Sequence, residues 1–438
     1  MDDGLVLNAV TPAMPHLTTA LLPRTFCPSE TQGHMHLDGA SPMDAQQLNT
    51  FGEHMRQLIA AAGQLFPERD HLIHQIVYAL LTREHVLVDG LFGTAKTALM
   101  NTIFGAFMGQ QTFSITMTKF MTEAHLIGIP DPKELRESGV LRYRPEGGIL
   151  EANFAELDEI LDASPPLLRV LLGILNERRF NRGKQIEMAR LHTAIAATNG
   201  APDLYLKADP ALGAVLDRFL FWSKVEYLKH PEARLRMYRN FLRGAKLGVQ
   251  MPFEQLHAAA DLVEDLCHAT EKDPDIINTY DQLIEAYCSV QTGHVISDRR
   301  RCLALKLIGA SAVLHGRYAS TLEDLMAVRW ALCVGNDPKQ HEVFAQMAQP
   351  IVDTAILARQ QTVDQLQNKL LDEYAARIPT VPQHCSPAAL VDLYKRCHAL
   401  HKDLEGVKPQ LPSTSERQQT LLERVSTLIA DVHAQLSS

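Results

Sequence analysis

The octet Gly90-Leu91-Phe92-Gly93-Thr94-Ala95-Lys96-Thr97 lies between an apolar run, Val86-Leu87-Val88, and a helical pattern, Ala98-Leu99-Met100 to Ile103-Phe104. A strand, a tight glycine-bearing loop ending in Lys-Thr and a helix start, in that order, constrain the chain to a phosphate-gripping strand–loop–helix unit. Glycines let backbone N–H groups turn toward an anion, and the helix N-terminus adds partial positive charge. Lys96 can reach the β- and γ-phosphates of a nucleotide, and the Thr97 hydroxyl can ligate Mg²⁺. One position departs from G-x-x-x-x-G-K-[ST]: Ala95 stands where the second glycine belongs.

Downstream, Phe154-Ala155-Glu156-Leu157-Asp158-Glu159 reads as a short strand ending in two adjacent carboxylates. A P-loop nucleotidase needs one acid to hold Mg²⁺ through its waters and another to polarise the attacking water. Asp158 suits the first role and Glu159 the second. Glu156 is a polar intruder in the strand and counts against that assignment. The two halves together read as an ATP-hydrolysing site using ATP and Mg²⁺.

The chain has 438 residues, enough for two or three domains, and a formal net charge of −9. That balance gives no electrostatic case for nucleic acid. No run of about eighteen apolar residues is present to span a membrane, and no N-terminal signal pattern stands out. Seven dispersed cysteines read as reduced core thiols of a cytoplasmic protein. His384, Cys385, Cys397, His398 and His401 form the one zinc-like constellation, but an adjacent His-Cys pair closes a tetrahedron poorly, and helix packing accounts for them better.

Residues 1–45 lack periodicity and read as a loosely ordered arm. Residues 46–228 alternate helices and strands (Val86–Val88, Phe113–Met117, Phe154–Leu157, Thr193–Asn199), which predicts an α/β P-loop domain with a parallel sheet and helices on both faces. Residues 229–340 carry helical periods only, including Arg299–His315 and a helix-start signature at Thr321–Asp324. Residues 341–438 hold three amphipathic segments, the last opening at the capping box Ser413-Thr414-Ser415-Glu416.

These motifs stand in an order that resembles a known family. Gly90-x-x-Gly93-x-Ala95-Lys96-Thr97, Leu157-Asp158-Glu159, Asn176-Glu177-Arg178-x-Phe180, Ala197-Thr198-Asn199 and Leu216-Asp217-Arg218-Phe219 resemble the MoxR branch of AAA+ ATPases, where alanine before the P-loop lysine is frequent. Thr118-Lys119-Phe120-Met121-Thr122, Asn-Glu-Arg-Arg-Phe and Ser297-Asp298-Arg299-Arg300 look closest to the RavA subgroup. The resemblance implies an all-α lid at 229–340 and a triple-helical C-terminal domain, without room for the β-rich disc of the best-known RavA. It makes Asn199 the sensor that orients the lytic water, Arg218 the arginine finger of a neighbouring subunit, and Arg299 the lid arginine with Arg300 as understudy. Phe120 to Leu150 and the Asn181-Arg182-Gly183 turn look like the insert and hairpin that face the ring's pore or partner.

A finger acting in trans implies a homo-oligomer, a hexamer in this family. The resemblance further implies a remodelling or maturation motor that works with a von Willebrand factor A (vWA) domain adaptor on a protein client. Rubisco-activase-type and gas-vesicle-type ATPases share the core motifs, and a nucleotide-regulated scaffold with little turnover is a different class of reading. Intact Lys96, Asp158, Glu159, Asn199 and Arg218 weigh against the scaffold.

Overall fold

The computed structural model describes residues 43–139, 142–182, 185–199, 212–290, 296–333, 338–380, 385–409 and 412–437. The N-terminal arm read at 1–45 falls almost wholly outside them. Among the described residues the strands are β1 (Val86–Gly90), β2 (Phe107–Met108), β3 (Thr112–Thr116), β4 (Phe154–Asp158), β5 (Arg179–Arg182), β6 (Gln185–Met188), β7 (Thr193–Thr198), β8 (Phe221–Val225) and β9 (Met251–Pro252). Five of them form a parallel sheet in the order β3-β4-β7-β1-β8. The first helices are α1 (Ala45–Leu65), α2 (Asp70–Thr82), α3 (Lys96–Phe104), α4 (Glu123–Ile127), α5 (Pro132–Ser138) and α6 (Pro165–Glu177).

Strand alternation builds two cores from one sheet. Val86 and Val88 of β1, Phe154 of β4, Ile195 of β7 and Phe221 of β8 pack with α1, α2, α3 and the lid helices. Leu87, Ala155, Leu157, Ala194 and Ala196 point the other way, against α4 and α6. Side chains on a pleated strand alternate faces, so burial on both sides demands near-continuous apolar runs. The fold is the one expected from the sequence: an α/β core, helices beyond it, and a helical C-terminal unit.

Several details differ from the sequence reading. Beyond residue 226 the chain is not purely helical, because Met251–Pro252 pairs in parallel with Phe107–Met108. The Arg299–His315 helix is two, Asp298–Ala304 and Lys306–Leu314, meeting at Leu305. A helix of 39 residues, Pro338–Ala376, runs through Pro350 and past residue 341. Its Phe344, Ala348 and Val352 belong to the main core, and its Leu371 belongs to a separate C-terminal core with Cys397, Leu404, Val425 and Val432. The packing therefore changes hands along one helix. Thr414 lies inside the last helix, Pro412–Ser437, and its hydroxyl donates to Asp364 instead of capping.

Cys397 is buried in that C-terminal core, His398 packs on Tyr394, and the His401 ring is 3.0 Å from the Ser426 hydroxyl; His384 lies outside the described residues. Where α2, the lid and the long helix meet, four rings pack together. His74 stacks on Trp330 at 4.6 Å, and His71 and His341 lie 4.3 Å apart beside it.

Candidate nucleotide site

β1 ends at Gly90, where the chain must pass close to β8: a Cβ there would meet the Val225 carbonyl at 2.8 Å. The loop then turns through left-handed residues, Gly93 at φ 72° and Ala95 at φ 63°. The general P-loop pattern places glycine at the second because a Cβ resists that conformation. Ala95 holds it nonetheless, and α3 opens immediately afterwards. The loop is braced by the Thr94 hydroxyl donating to Leu91 O (2.7 Å) and the Tyr227 hydroxyl donating to Phe92 O (3.1 Å).

Lys96 is buried, 8% exposed, and its ammonium donates to Gly90 O, to Thr198 O (3.3 Å) and to Asn199 Oδ1 (2.8 Å). Burial pulls its pKa down, and Asp158, Glu159 and Asp89 pull it back up. Asn199, just past β7, donates its amide to Glu159 Oε1. Lys96, Asn199 and Glu159, far apart in sequence, thus form one polar relay at the carboxyl ends of β1, β7 and β4. Burial first, then the Asp158 charge, raises the Glu159 carboxyl. Glu159 itself sits at φ 54°, its N–H donating to Asp158 Oδ1 (3.1 Å). The Thr97 side chain is exposed on the first turn of α3.

A cavity of about 1040 Å³ opens beside Gly93–Ala95, lined also by Phe66, Pro67, Tyr227, Met237 and Phe241. Aromatic and aliphatic walls next to a phosphate loop suit a base and ribose. Much of this wall comes from the helix Pro231–Arg243, whose only buried residue is Ala233. Nothing in its sequence pattern signalled that role.

Arg218 and Arg299 lie at the opposite end of the sheet. Phe221 pairs with Val86 and Val225 with Gly90, so Arg218, ahead of Phe221, is about 13 Å or more from the P-loop at ~3.3 Å per strand residue. Arg299 donates to Asn176 Oδ1 (2.9 Å) at the end of α6, the same end, where the His85 ring lies 2.9 Å from Leu175 O. The two arginines repel each other, and burial with that repulsion lowers the Arg218 pKa. The Nε of each has no hydrogen-bond partner among the described residues. Arg300 is different. Its guanidinium donates to the carbonyls of Leu220, Ala331 (2.9 Å) and Phe219 (3.0 Å), which ties the lid to the core. Arg178, legible beforehand only as part of a motif, is a second such pillar, donating to Leu175 O (2.7 Å), Arg83 O (2.6 Å) and His192 O (3.2 Å).

Among the described residues no three His, Cys, Asp or Glu side chains converge to hold an ion directly. A donor set of this kind would fit Mg²⁺ held chiefly by phosphates and water, to which the Thr97 hydroxyl and Asp158 would be the protein's contribution. Glu156 is 2% exposed. Burial raises its pKa, and Ser114 lowers it.

A parallel sheet with a P-loop and paired acids at its carboxyl ends, followed by a helical lid, defines the AAA+ class. Residues 53–266 match a family described as the MoxR domain in the MoxR-vWA-beta-propeller ternary systems, and residues 275–347 match an AAA lid domain. The chain belongs to the MoxR branch of AAA+ proteins. Two uncharacterized proteins of Methanocaldococcus jannaschii are each 29% identical over 60% of this chain, covering 66% and 67% of their own lengths. Chaperone MoxR1 of Mycobacterium tuberculosis is 28% identical over 51% of this chain and 56% of its own. The chain thus spans about two thirds of the archaeal relatives and just over half of the mycobacterial one. A crystal structure from Cytophaga hutchinsonii ATCC 33406, described as a candidate ATPase, matches with TM-score 0.50 at 17% identity, over 71% of this chain and 96% of that one; this is a likeness of fold. No described helix is long and apolar enough to cross a membrane.

Proposed function

We propose that this chain is a Mg²⁺-dependent ATPase of the RavA-like kind, working as a ring, a hexamer by family analogy, that remodels or matures a protein complex. The observation that carries the reading is the Lys96–Asn199–Glu159 relay at the mouth of the P-loop. Lys96 binds phosphate charge, Glu159 takes the proton of the attacking water, and Asn199 orients that water and holds both partners. Mg²⁺ neutralises phosphate charge when bound. Arg218 and Arg299, a strand's length from their own P-loop and each with an unused Nε, serve the nucleotide of the next subunit in trans. Arg299 is in this reading a second trans arginine rather than a sensor of its own subunit's nucleotide. Membership of a family found in MoxR-vWA-beta-propeller ternary systems supports a vWA-domain adaptor as partner, and the relative named a chaperone supports a protein client.

The test separates binding from turnover. Lys96→Ala loses tight ATP binding, whereas Glu159→Gln binds ATP but hydrolyses it ~10²–10⁴-fold more slowly. Parent-like turnover in Glu159→Gln removes the assignment. The same variant, held with ATP in the full chain, is the bait for the adaptor and client.

A further inference from the structure

The helix Pro231–Arg243 forms much of the cavity wall beside the P-loop, yet of its 13 residues only Ala233 is buried. Apolar packing therefore does little to fix where this helix lies, and its place depends on hydrogen bonds at its two ends. At the first end both carboxylate oxygens of Glu68 are engaged. The Lys229 N–H donates to one and the His230 N–H to the other, each at 2.9 Å. A carboxylate there also faces the positive pole of the helix. Burial pushes the Glu68 carboxyl up, but these two bonds and the charges of His230 and Arg69 outweigh it and hold the group below its ordinary value. At the other end the Asn240 side-chain amide donates to Gln64 O (2.8 Å) and Leu65 O (3.2 Å). Those carbonyls belong to the last turn of α1, where the helix offers no partner of its own.

Glu68 reaches these N–H groups from a turn in which it holds φ 59°, a left-handed conformation that ordinarily falls to glycine or asparagine. The Arg69 guanidinium pins the same turn, donating to Glu68 O (2.9 Å) and across to Glu226 O (2.7 Å). Phe66 and Pro67 of this turn line the cavity from one side, and Met237 and Phe241 line it from the helix. Glu68 and Asn240 thus tie the two walls together at either end of the helix. We propose that Glu68 and Asn240 are positioning residues that hold these walls at the spacing of a nucleotide base, so that ATP affinity depends on them and the rate of hydrolysis does not. This rests on the ATPase reading given above. Their contribution is preorganisation: a slot already formed spares the nucleotide the cost of ordering the helix on binding.

The experiment titrates the full chain calorimetrically, in Mg²⁺, with a non-hydrolysable ATP analogue and with inorganic tripolyphosphate, which can fill the P-loop but has no base. ATPase kinetics are read beside it. Glu68→Gly keeps the left-handed turn and removes the carboxylate. Asn240→Asp keeps the size of the side chain and turns a donor into an acceptor facing two carbonyls. The variants act at opposite ends of the helix, so the test survives the failure of either to fold. Each is expected to weaken the ATP analogue about tenfold, the scale of one hydrogen bond to a charged group. Tripolyphosphate affinity should stay at the parent value, and KM for ATP should rise with kcat unchanged. Glu68→Gln, which retains one acceptor, should fall between parent and Glu68→Gly. Unchanged analogue affinity in a folded Glu68→Gly or Asn240→Asp overturns the proposal. So does an equal loss for both ligands, which would make the clamp a general support of the fold. A parent chain that binds the two ligands equally well overturns it too, because the slot then holds no base. A parent chain that binds neither defeats the ATPase reading itself, an outcome distinct from these.

Discussion

Replacing Arg300 by methionine should destabilise, not silence, this protein. The side chain sits in a run of three arginines, Arg299 to Arg301, yet its guanidinium serves three backbone carbonyls of the core and lid. Hydrogen bonds to a charged group contribute ~1.5–3 kcal/mol each, and the carbonyls left behind lose their partner in a partly buried seam. Three such bonds, discounted for non-additivity, make a loss of about 4 kcal/mol. Unfolding entropy of ~2.1 cal/mol/K per residue over roughly 290 residues of ATPase body is about 0.6 kcal/mol/K, so Tm falls by about 7 °C. Arg299→Met removes one bond, to Asn176, and should shift Tm by less than about 2 °C while cutting turnover. Scanning calorimetry and a phosphate-release assay on both variants decide the matter. A parent-like Tm with lost turnover in Arg300→Met, and a destabilised Arg299→Met, would refute the assignment.

The ring cluster of His71, His74, Trp330 and His341 should make the lid junction acid-sensitive. Burial pushes His341 down to about 3 and lowers His71 and His74. Groups kept neutral in the fold contribute stability that is present above the unfolded value near 6.5 and is lost as pH falls below it. Melting curves from pH 7.5 to 5.5 should therefore fall more steeply for the parent than for His341→Phe; identical slopes would exclude the junction as the cause. Truncation reports on the long helix. Ending the chain at residue 337 strips Phe344, Ala348 and Val352 from the core and should give an unstable product. If the C-terminal helices dock the adaptor, ending the chain at residue 360, which keeps those three residues, should leave basal ATPase near normal while capture of the adaptor is lost, as seen by pull-down; full-affinity capture would show that they do not dock it.

The parts of this protein legible in its sequence are those whose geometry is local. The P-loop could be read because a strand, a left-handed turn and a helix start are neighbours in the chain, and Ala95 occupies the left-handed position at which a glycine was missed. The parallel sheet followed from apolar runs that must be buried on both faces. What escaped depends on distant contacts. Arg299 and Arg300 are adjacent and chemically identical, and only their contacts separate them: three carbonyls, of Phe219, Leu220 and Ala331, hold Arg300, whereas Arg299 donates to the Asn176 side chain. Glu156 was read as a mark against the strand, yet the strand forms with its carboxyl buried beside Ser114, a contact between strands that the local sequence does not display. Met251–Pro252 is too short for periodicity, and Pro350 invites a break in a helix that passes through it.

The central claim is that each active site is shared between two copies of the chain, and mixing variants tests it most directly. Arg218→Ala subunits keep an intact P-loop and relay but offer the next subunit no finger, and should turn over ~10³-fold or more slowly with ATP still bound. Glu159→Gln subunits lack the base but retain both trans arginines. In mixed rings, a junction that joins the relay of the first to the arginines of the second is complete. The account predicts that ATPase activity, absent from either variant alone, returns on mixing and varies with their ratio. Mixed rings that form, as shown by tagged co-purification, and hydrolyse no ATP at any ratio would contradict it.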